Sequence, residues 1–202
     1  MIGADTSEGI LQQARSAYGS QANLTFAIGD AYHLPFDDNT FDIVHAHALL
    51  IHLQDATSVI KEFARVIKPG GLISLGEGIA ANIISLKPDL PALRDFMAFN
   101  MDFLPTIGFD VYAGEHLVGW ASEAGIMDGE AGWKVESGRY NIPIPSLKSR
   151  VMGHAAEMTI ETSNATPEMI EEWRKGWETW EEDENAEFIW EAGTLLAWKP
   201  LA

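Results

Sequence analysis

The sequence predicts an α/β fold in which a mostly parallel sheet carries helices on its faces. Three observations predict it. Phe41-Asp42-Ile43-Val44 is a short apolar run holding one acid, the pattern of a strand buried on both faces. From Asp55 onward, Val59, Ile60, Phe63, Val66 and Ile67 recur at helical spacing. Lys68-Pro69-Gly70-Gly71 stops that helix, since proline cannot continue it and glycine tolerates left-handed angles, and the apolar run Leu72 to Leu75 follows. Strand, helix and strand make a βαβ unit. In open α/β sheets ligands lie at the carboxyl ends of such strands.

The other elements follow in chain order. Met1 to Asp5 reads as the tail of a strand ending in an acid. Thr6 or Ser7 can cap a helix carrying Ile10, Leu11, Ala14 and Tyr18, with Gly19 as its stop. Leu24 to Ile28 is the next strand, and Asp30 stands at its carboxyl end. His45, Ala46 and His47 follow the strand that starts at Phe41, with His52 shortly after. His45 and His47 are spaced for one strand face. A metal site needs a third ligand, none suggests itself, and no metal is expected. Glu77 ends the strand Leu72 to Leu75, in the mouth of the presumed pocket.

The second half is read more coarsely. Phe96, Met97, Phe99, Met101, Phe103 and Leu104 either line an apolar pocket or form helix core. Gly114 to Ile126 reads as a helix with a glycine stop, and Trp133 to Ile144 as a late strand. Thr166-Pro167-Glu168 opens a helix with Met169, Ile170, Trp173, Trp177 and Trp180 on one stripe. That stripe must be covered by the domain body, by a lid arrangement or by a second chain. Phe188 to Lys199 closes the chain as a final strand. The organisation predicted is a single domain over 1–202, with 80–110 and 146–186 as substrate-cap or lid segments.

Composition narrows the partners. The 202 residues suffice for one domain with a sizeable core, and 47% are hydrophobic. The net charge of −17 repels nucleic acid and anionic membranes, so neither is an expected partner. There is no cysteine, which excludes disulfides, thiolate metal sites and cysteine nucleophiles. No run is long and apolar enough to span a bilayer, and a cytoplasmic protein is expected.

The ordered set Gly29-Asp30-Ala31, Leu34-Pro35-Phe36, Phe41-Asp42, Leu50-Ile51-His52-Leu53 and Ala64-Arg65-Val66-Ile67-Lys68-Pro69-Gly70-Gly71 resembles the class I S-adenosylmethionine-dependent methyltransferases. It is most similar to the small-molecule group of ubiquinone and menaquinone methyltransferases and fungal natural-product enzymes of secondary metabolism. The resemblance is close from Ile2 to Glu77 and looser around Gly114 to Ile126 and at the C-terminus. It implies a Rossmann-like sheet with an antiparallel C-terminal strand, S-adenosylmethionine as cofactor, and a small, apolar organic acceptor.

The resemblance also assigns residues. Asp5 accepts from the ribose hydroxyls, with Thr6 near the adenosine, although Asp5 also reads as a helix cap. Asp30 accepts from the adenine amine and the backbone of Ala31 contacts the ring, although Asp30 also reads as the start of a turn. His45 and Ala46 lie where cofactor contacts fall. His52, His47 and Glu77 are the candidate bases, wanted only where the acceptor must lose a proton. His52 also reads as a satisfied histidine on a helix face.

One departure weighs against these matches. The family's first strand carries a Gly-x-Gly-x-Gly loop against the methionine half of the cofactor, and this sequence contains no such pattern. The fold expected is therefore N-terminally truncated, leaving a gap in the sheet before Phe41 that a homodimer or partner chain could complete. The alternative function is a non-catalytic or repurposed methyltransferase fold acting as a ligand-binding or partner subunit.

Overall fold

The computed structural model describes residues 1–143 and 165–201. β1 (Ile2–Asp5) leads through α1 (Glu8–Tyr18) to β2 (Thr25–Ile28). β3 (Phe41–His47) leads through α2 (Ala56–Val66) to β4 (Ile67–Lys87). Then come α3 (Pro91–Phe103), α4 (Ala113–Glu123), β5 (Lys134–Pro143), α5 (Pro167–Glu182) and β6 (Glu187–Trp198). Side-chain caps start three of the helices: Ser7 accepts from the N–H of Ile10, Asp55 from Ser58 and Thr166 from Met169. The segment 144–164, which takes in the first part of the second expected cap stretch, lies outside the described residues.

The strands form a mixed, Rossmann-like arrangement. β1 pairs parallel with β2, and β3 pairs parallel with β4. The larger sheet has the order β3-β4-β6-β5, with β6 antiparallel to both neighbours. β6 is thus the one strand of its sheet that runs against the rest, as the expected antiparallel C-terminal strand. β1 and β2 form a sheet of their own rather than joining β3. Ile2 on β1 and Ile43 on β3 are exposed, the latter at 62%.

β4 is far longer than expected. It does not end near Glu77 but continues to Lys87, paired with β6 as far as Glu187. Shifts of register between Ile79, Ile83 and Ser85 let the pair bend and resume, and the isoleucines there suit a strand. The first residues of the 80–110 stretch are therefore sheet, and α3 begins only at Pro91.

Two apolar cores result. In the first, Val59, Ile60 and Phe63 of α2 and Leu117 and Ala121 of α4 pack on Ala46, Ile73, Leu75, Leu195 and Ala197 of the sheet. In the second, Leu93 and Phe96 of α3 meet Trp173, Trp177 and Trp180 of α5 and Phe188 of β6. The tryptophan stripe is thus covered by its own chain. The extension of β4 past Glu77 carries this second core beyond the carboxyl end of β3, because Ile83 and Leu86 of that extension pack against it. The chain end is tied back to α2: Lys199 Nζ donates to Asn39 Oδ1 and to the carbonyl oxygens of Ala64 and Ile67, at 2.8–2.9 Å. It thereby takes up carbonyls that the end of a helix leaves unpaired.

Candidate functional site

The loops that follow the first three strands meet along one edge. Asp5 Oδ1 accepts from the N–H of Ser7 at 2.7 Å, which opens α1, and the Asp5 carbonyl accepts from Gly29 at 3.1 Å. Thr6 beside it is exposed. Asp30 is exposed, with Oδ1 accepting from the N–H of Tyr32 at 2.9 Å, and Ala31 packs half-buried on the first core. The Tyr32 hydroxyl accepts from the N–H of Asp55 at 3.2 Å. That bond joins the loop after β2 to the loop after β3, so Asp5, Asp30 and the His52 segment share one edge.

Arg65 and Glu62 hold the loop after β2 in place. Arg65 donates to the carbonyls of Leu34 and Phe36 at 3.1 and 2.8 Å, and to the carboxylates of Glu62 and Asp38. Glu62 Oε1 accepts in turn from the N–H of Leu34 at 2.8 Å. The guanidinium holds the Glu62 carboxyl below its ordinary range, and the two carboxylates raise Arg65. Both residues escaped the sequence reading of the site, though Arg65 lies inside the motif that carried the resemblance.

The histidines divide between the faces of the sheet. His45 Nδ1 lies 3.2 Å from Ser74 Oγ. The His47 ring lies across Gly76, where a Cβ would stand 2.9 Å from its Cδ2 and 3.8 Å from the Tyr140 hydroxyl. Ala46, between them, is buried in the first core, so only its backbone faces a ligand. After His47 the chain turns through Ala48, whose φ of +51° is left-handed and strained for a residue with a Cβ. His52 follows in a single 3₁₀ turn, with its ring edge-on to Phe109 at 4.6 Å. Partial burial there lowers its pKa, which keeps the imidazole neutral and able to accept a proton at pH 7.

Glu77 does not stand open in the pocket mouth. It is 0% exposed, and its carboxylate accepts from the N–H groups of Leu49, Leu50 and Ile51 at 3.0, 2.8 and 3.3 Å. Neighbours along a strand alternate faces, so Glu77 points away from Gly76 and from His47. The structure therefore brings Glu77 and the His52 segment together and leaves His47 on the other side. Burial pushes the Glu77 carboxyl above its ordinary range, against the three N–H bonds that favour its charged form. The folded state then binds the proton more tightly than the unfolded state, so this group makes stability fall as pH rises from the ordinary glutamate range to the raised value. Melting of the wild-type chain and of Glu77→Gln across pH 4 to 8 measures this: the wild type should lose ground relative to the variant as pH rises.

A further pair was not anticipated. His116 Nδ1 lies 2.7 Å from Asp110 Oδ2, and the Asp110 N–H donates to the Ile51 carbonyl at 2.9 Å. The signal was hidden because six residues separate them across a helix start. A cavity of ≈ 490 Å³ opens beside this edge, lined by Tyr32, His33, Asp55, Lys61 and Arg65 among others, and none of the nine candidate residues lines it. Among the described residues no group of three or more histidine or acidic side chains is placed to hold a metal. No helix of the described residues is long and apolar enough to cross a membrane.

A parallel βαβ framework with acids at the carboxyl ends of adjacent strands is the arrangement in which α/β folds bind nucleotides. The particular class follows from comparison. Residues 1–75 match the methyltransferase domain family. The chain is 26% identical over 209 residues to an uncharacterised methyltransferase of Schizosaccharomyces pombe, covering 97% of this chain and 74% of that protein. It is 33% identical over 113 residues to a demethylmenaquinone methyltransferase of Staphylococcus epidermidis, covering 56% of this chain and 44% of that one. The chain thus matches less than half the length of the latter. A solved Bacillus subtilis protein superposes with a TM-score of 0.58 at 22% identity, over 100% of this chain and 82% of that chain. Haemonchus contortus phosphoethanolamine N-methyltransferase 2, solved with S-adenosylhomocysteine, superposes with a TM-score of 0.53 at 17% identity, over 98% and 43%. In its domain match, relatives and fold the chain is similar to the class I S-adenosylmethionine-dependent methyltransferases, and S-adenosylmethionine is the cofactor of that class.

The residues fit the adenosine half of that cofactor. Carboxylates accept and cannot donate, and ribose hydroxyls and an exocyclic amine offer donors. Asp5 and Asp30 each keep acceptor capacity beyond the single backbone N–H they take.

Proposed function

We propose that this chain moves a methyl group from S-adenosylmethionine to a small, apolar organic acceptor. The observation that carries the reading is the bond from the Asp55 N–H to the Tyr32 hydroxyl, which sets the two acids and His52 along one edge. In this reading Asp5 and Thr6 hold the ribose, Asp30 and the Ala31 backbone hold the adenine, and His45 and the Ala46 backbone flank the cofactor. The bound cofactor supplies an activated methyl group on sulfur. The protein contributes by orienting the acceptor in line with that methyl and excluding water. Where the acceptor carries a proton, neutral His52 takes it, with His47 as the other candidate.

The second core supports a cap over the acceptor. Its aromatic composition and its place beyond the carboxyl end of β3 suit an apolar neighbour. The relatives named above point the same way only in part, since one acts on demethylmenaquinone and another was solved with phosphomonomethylethanolamine.

Calorimetry with S-adenosylhomocysteine tests the reading. Asp30→Ala and Asp5→Ala should each weaken binding about 10-fold or more, the worth of a hydrogen bond to a charged group. Equal affinity of wild type and both variants would remove the assignment.

A further inference from the structure

We propose that Glu77 is a positioning residue that clamps the His52 segment rather than a base. Three consecutive N–H groups, those of Leu49, Leu50 and Ile51, converge on its carboxylate. The chain has just left β3 through the left-handed Ala48. Ala48 is itself tied to β4, its N–H donating to the Gly76 carbonyl at 2.9 Å. The segment is gripped from the far side as well, where the Ile51 carbonyl accepts from Asp110. Phe109, next to Asp110, meets the His52 ring.

The clamp reaches a third element. The Glu77 carbonyl lies where a Cβ on Gly114 would stand 2.5 Å away, so the first turn of α4 rests directly on the Glu77 backbone. One residue of β4 thus holds the segment after β3 with its side chain and the start of α4 with its main chain. Asp110 and His116 flank that start, so both walls around His52 are referenced to Glu77. A buried carboxylate with three donors is also shielded from the substrate, which disqualifies it as the group that collects a proton. Its effect on methyl transfer rests on the function proposed above. The clamp itself does not.

Two readouts need no acceptor. In Glu77→Ala the amides of Leu49, Leu50 and Ile51 should exchange with solvent about 10-fold faster or more, with amides of β3 and the first core little changed, as a local opening requires. In Glu77→Gln one acceptor oxygen remains for Leu49 and Leu50, so the Ile51 amide should accelerate most. The His52 titration, followed by NMR, should move upward toward its ordinary value in Glu77→Ala as the ring leaves Phe109. If Glu77→Ala does not fold, Glu77→Gln carries the same test in milder form. Unchanged exchange at all three amides, or acceleration spread evenly over the chain, overturns the clamp. Loss of S-adenosylhomocysteine binding in Asp30→Ala is measured separately, so failure of either idea can be told from failure of the other.

Discussion

Gly193→Ala is expected to destabilise the protein by about 3 kcal/mol, at the upper end of what overpacking costs. A Cβ there would lie 2.0 Å from the Gly114 carbonyl oxygen and 2.7 Å from its carbonyl carbon. Both are backbone atoms, so no side chain can swing aside. α4 must lift from β4 and β6, and with it move Asp110 and its bond to Ile51. Gly114→Ala should fail for the same reason, although alanine is the better helix former by about 1 kcal/mol. Its Cβ would meet the Glu77 carbonyl at 2.5 Å and the Gly193 nitrogen at 2.7 Å. Packing against backbone outweighs propensity here. Gly138→Ala on β5 is the control, because its Cβ meets only the Thr194 hydroxyl at 3.6 Å. Urea titration decides the matter: the midpoint should fall for Gly193→Ala at unchanged slope, and stay put for Gly138→Ala. Equal midpoints for the two variants would mean that α4 does not rest on the sheet as described.

Much of this architecture was legible in the sequence, and the reasons are local. The α2 stripe of Val59, Ile60, Phe63 and Val66 is buried as its spacing requires. The helix ends earlier than its expected stop, at Val66 with Ile67 already extended, and Pro69-Gly70-Gly71 lies in the first residues of β4, with Gly70 at a φ of +78°. Ser7, Asp55 and Thr166 cap the helices they precede. What escaped was set by pairing over long separations. The run of β4 to Lys87 depends on β6, a hundred residues away, and a stretch such as Ile79 to Leu86 reads equally well as strand or helix without that partner. The division of β1-β2 from the larger sheet is likewise a matter of which edges pair, which no local pattern records.

The positions of the two acids were legible, and those of the residues around them were not. Asp5 and Asp30 fall at strand ends, where spacing alone puts them. Glu77 also falls at the expected place along the chain, yet its side chain turns inward to three backbone donors. Alternation along β4 gives its face only once the buried partners Ile73 and Leu75 are known to face α2 and α4. Phe109 and Asp110 approach the His52 segment from the residues before α4, and His116 on α4 bonds Asp110; the sequence reading gave none of the three a role.

Trp177→Ala is expected to cost about 3–5 kcal/mol, the range for deleting a buried aromatic side chain. The side chain is 0% exposed and sits edge-on to Phe96, Trp180 and Phe188, with ring centroids 5.7, 5.6 and 6.2 Å away. The site cannot collapse to fill the space, because α3 and α5 already touch: a Cβ on Gly176 would lie 2.7 Å from the Cβ of Ala92. One feature offsets part of the loss. The indole N–H of Trp177 has no hydrogen-bond partner among the described residues, so its removal leaves no acceptor unpaired. Trp177→Phe should therefore be much milder, keeping most of the ring contacts and shedding a buried unpaired donor. Because the second core uses α3, α5 and the far ends of β4 and β6, its loss should be partly local. Hydrogen exchange should show α3 and α5 opening first in Trp177→Ala, while β3 and the first half of β4 keep their protection. A loss below about 1 kcal/mol, or opening that reaches both cores together, would show that the second core does not stand on the tryptophan stripe.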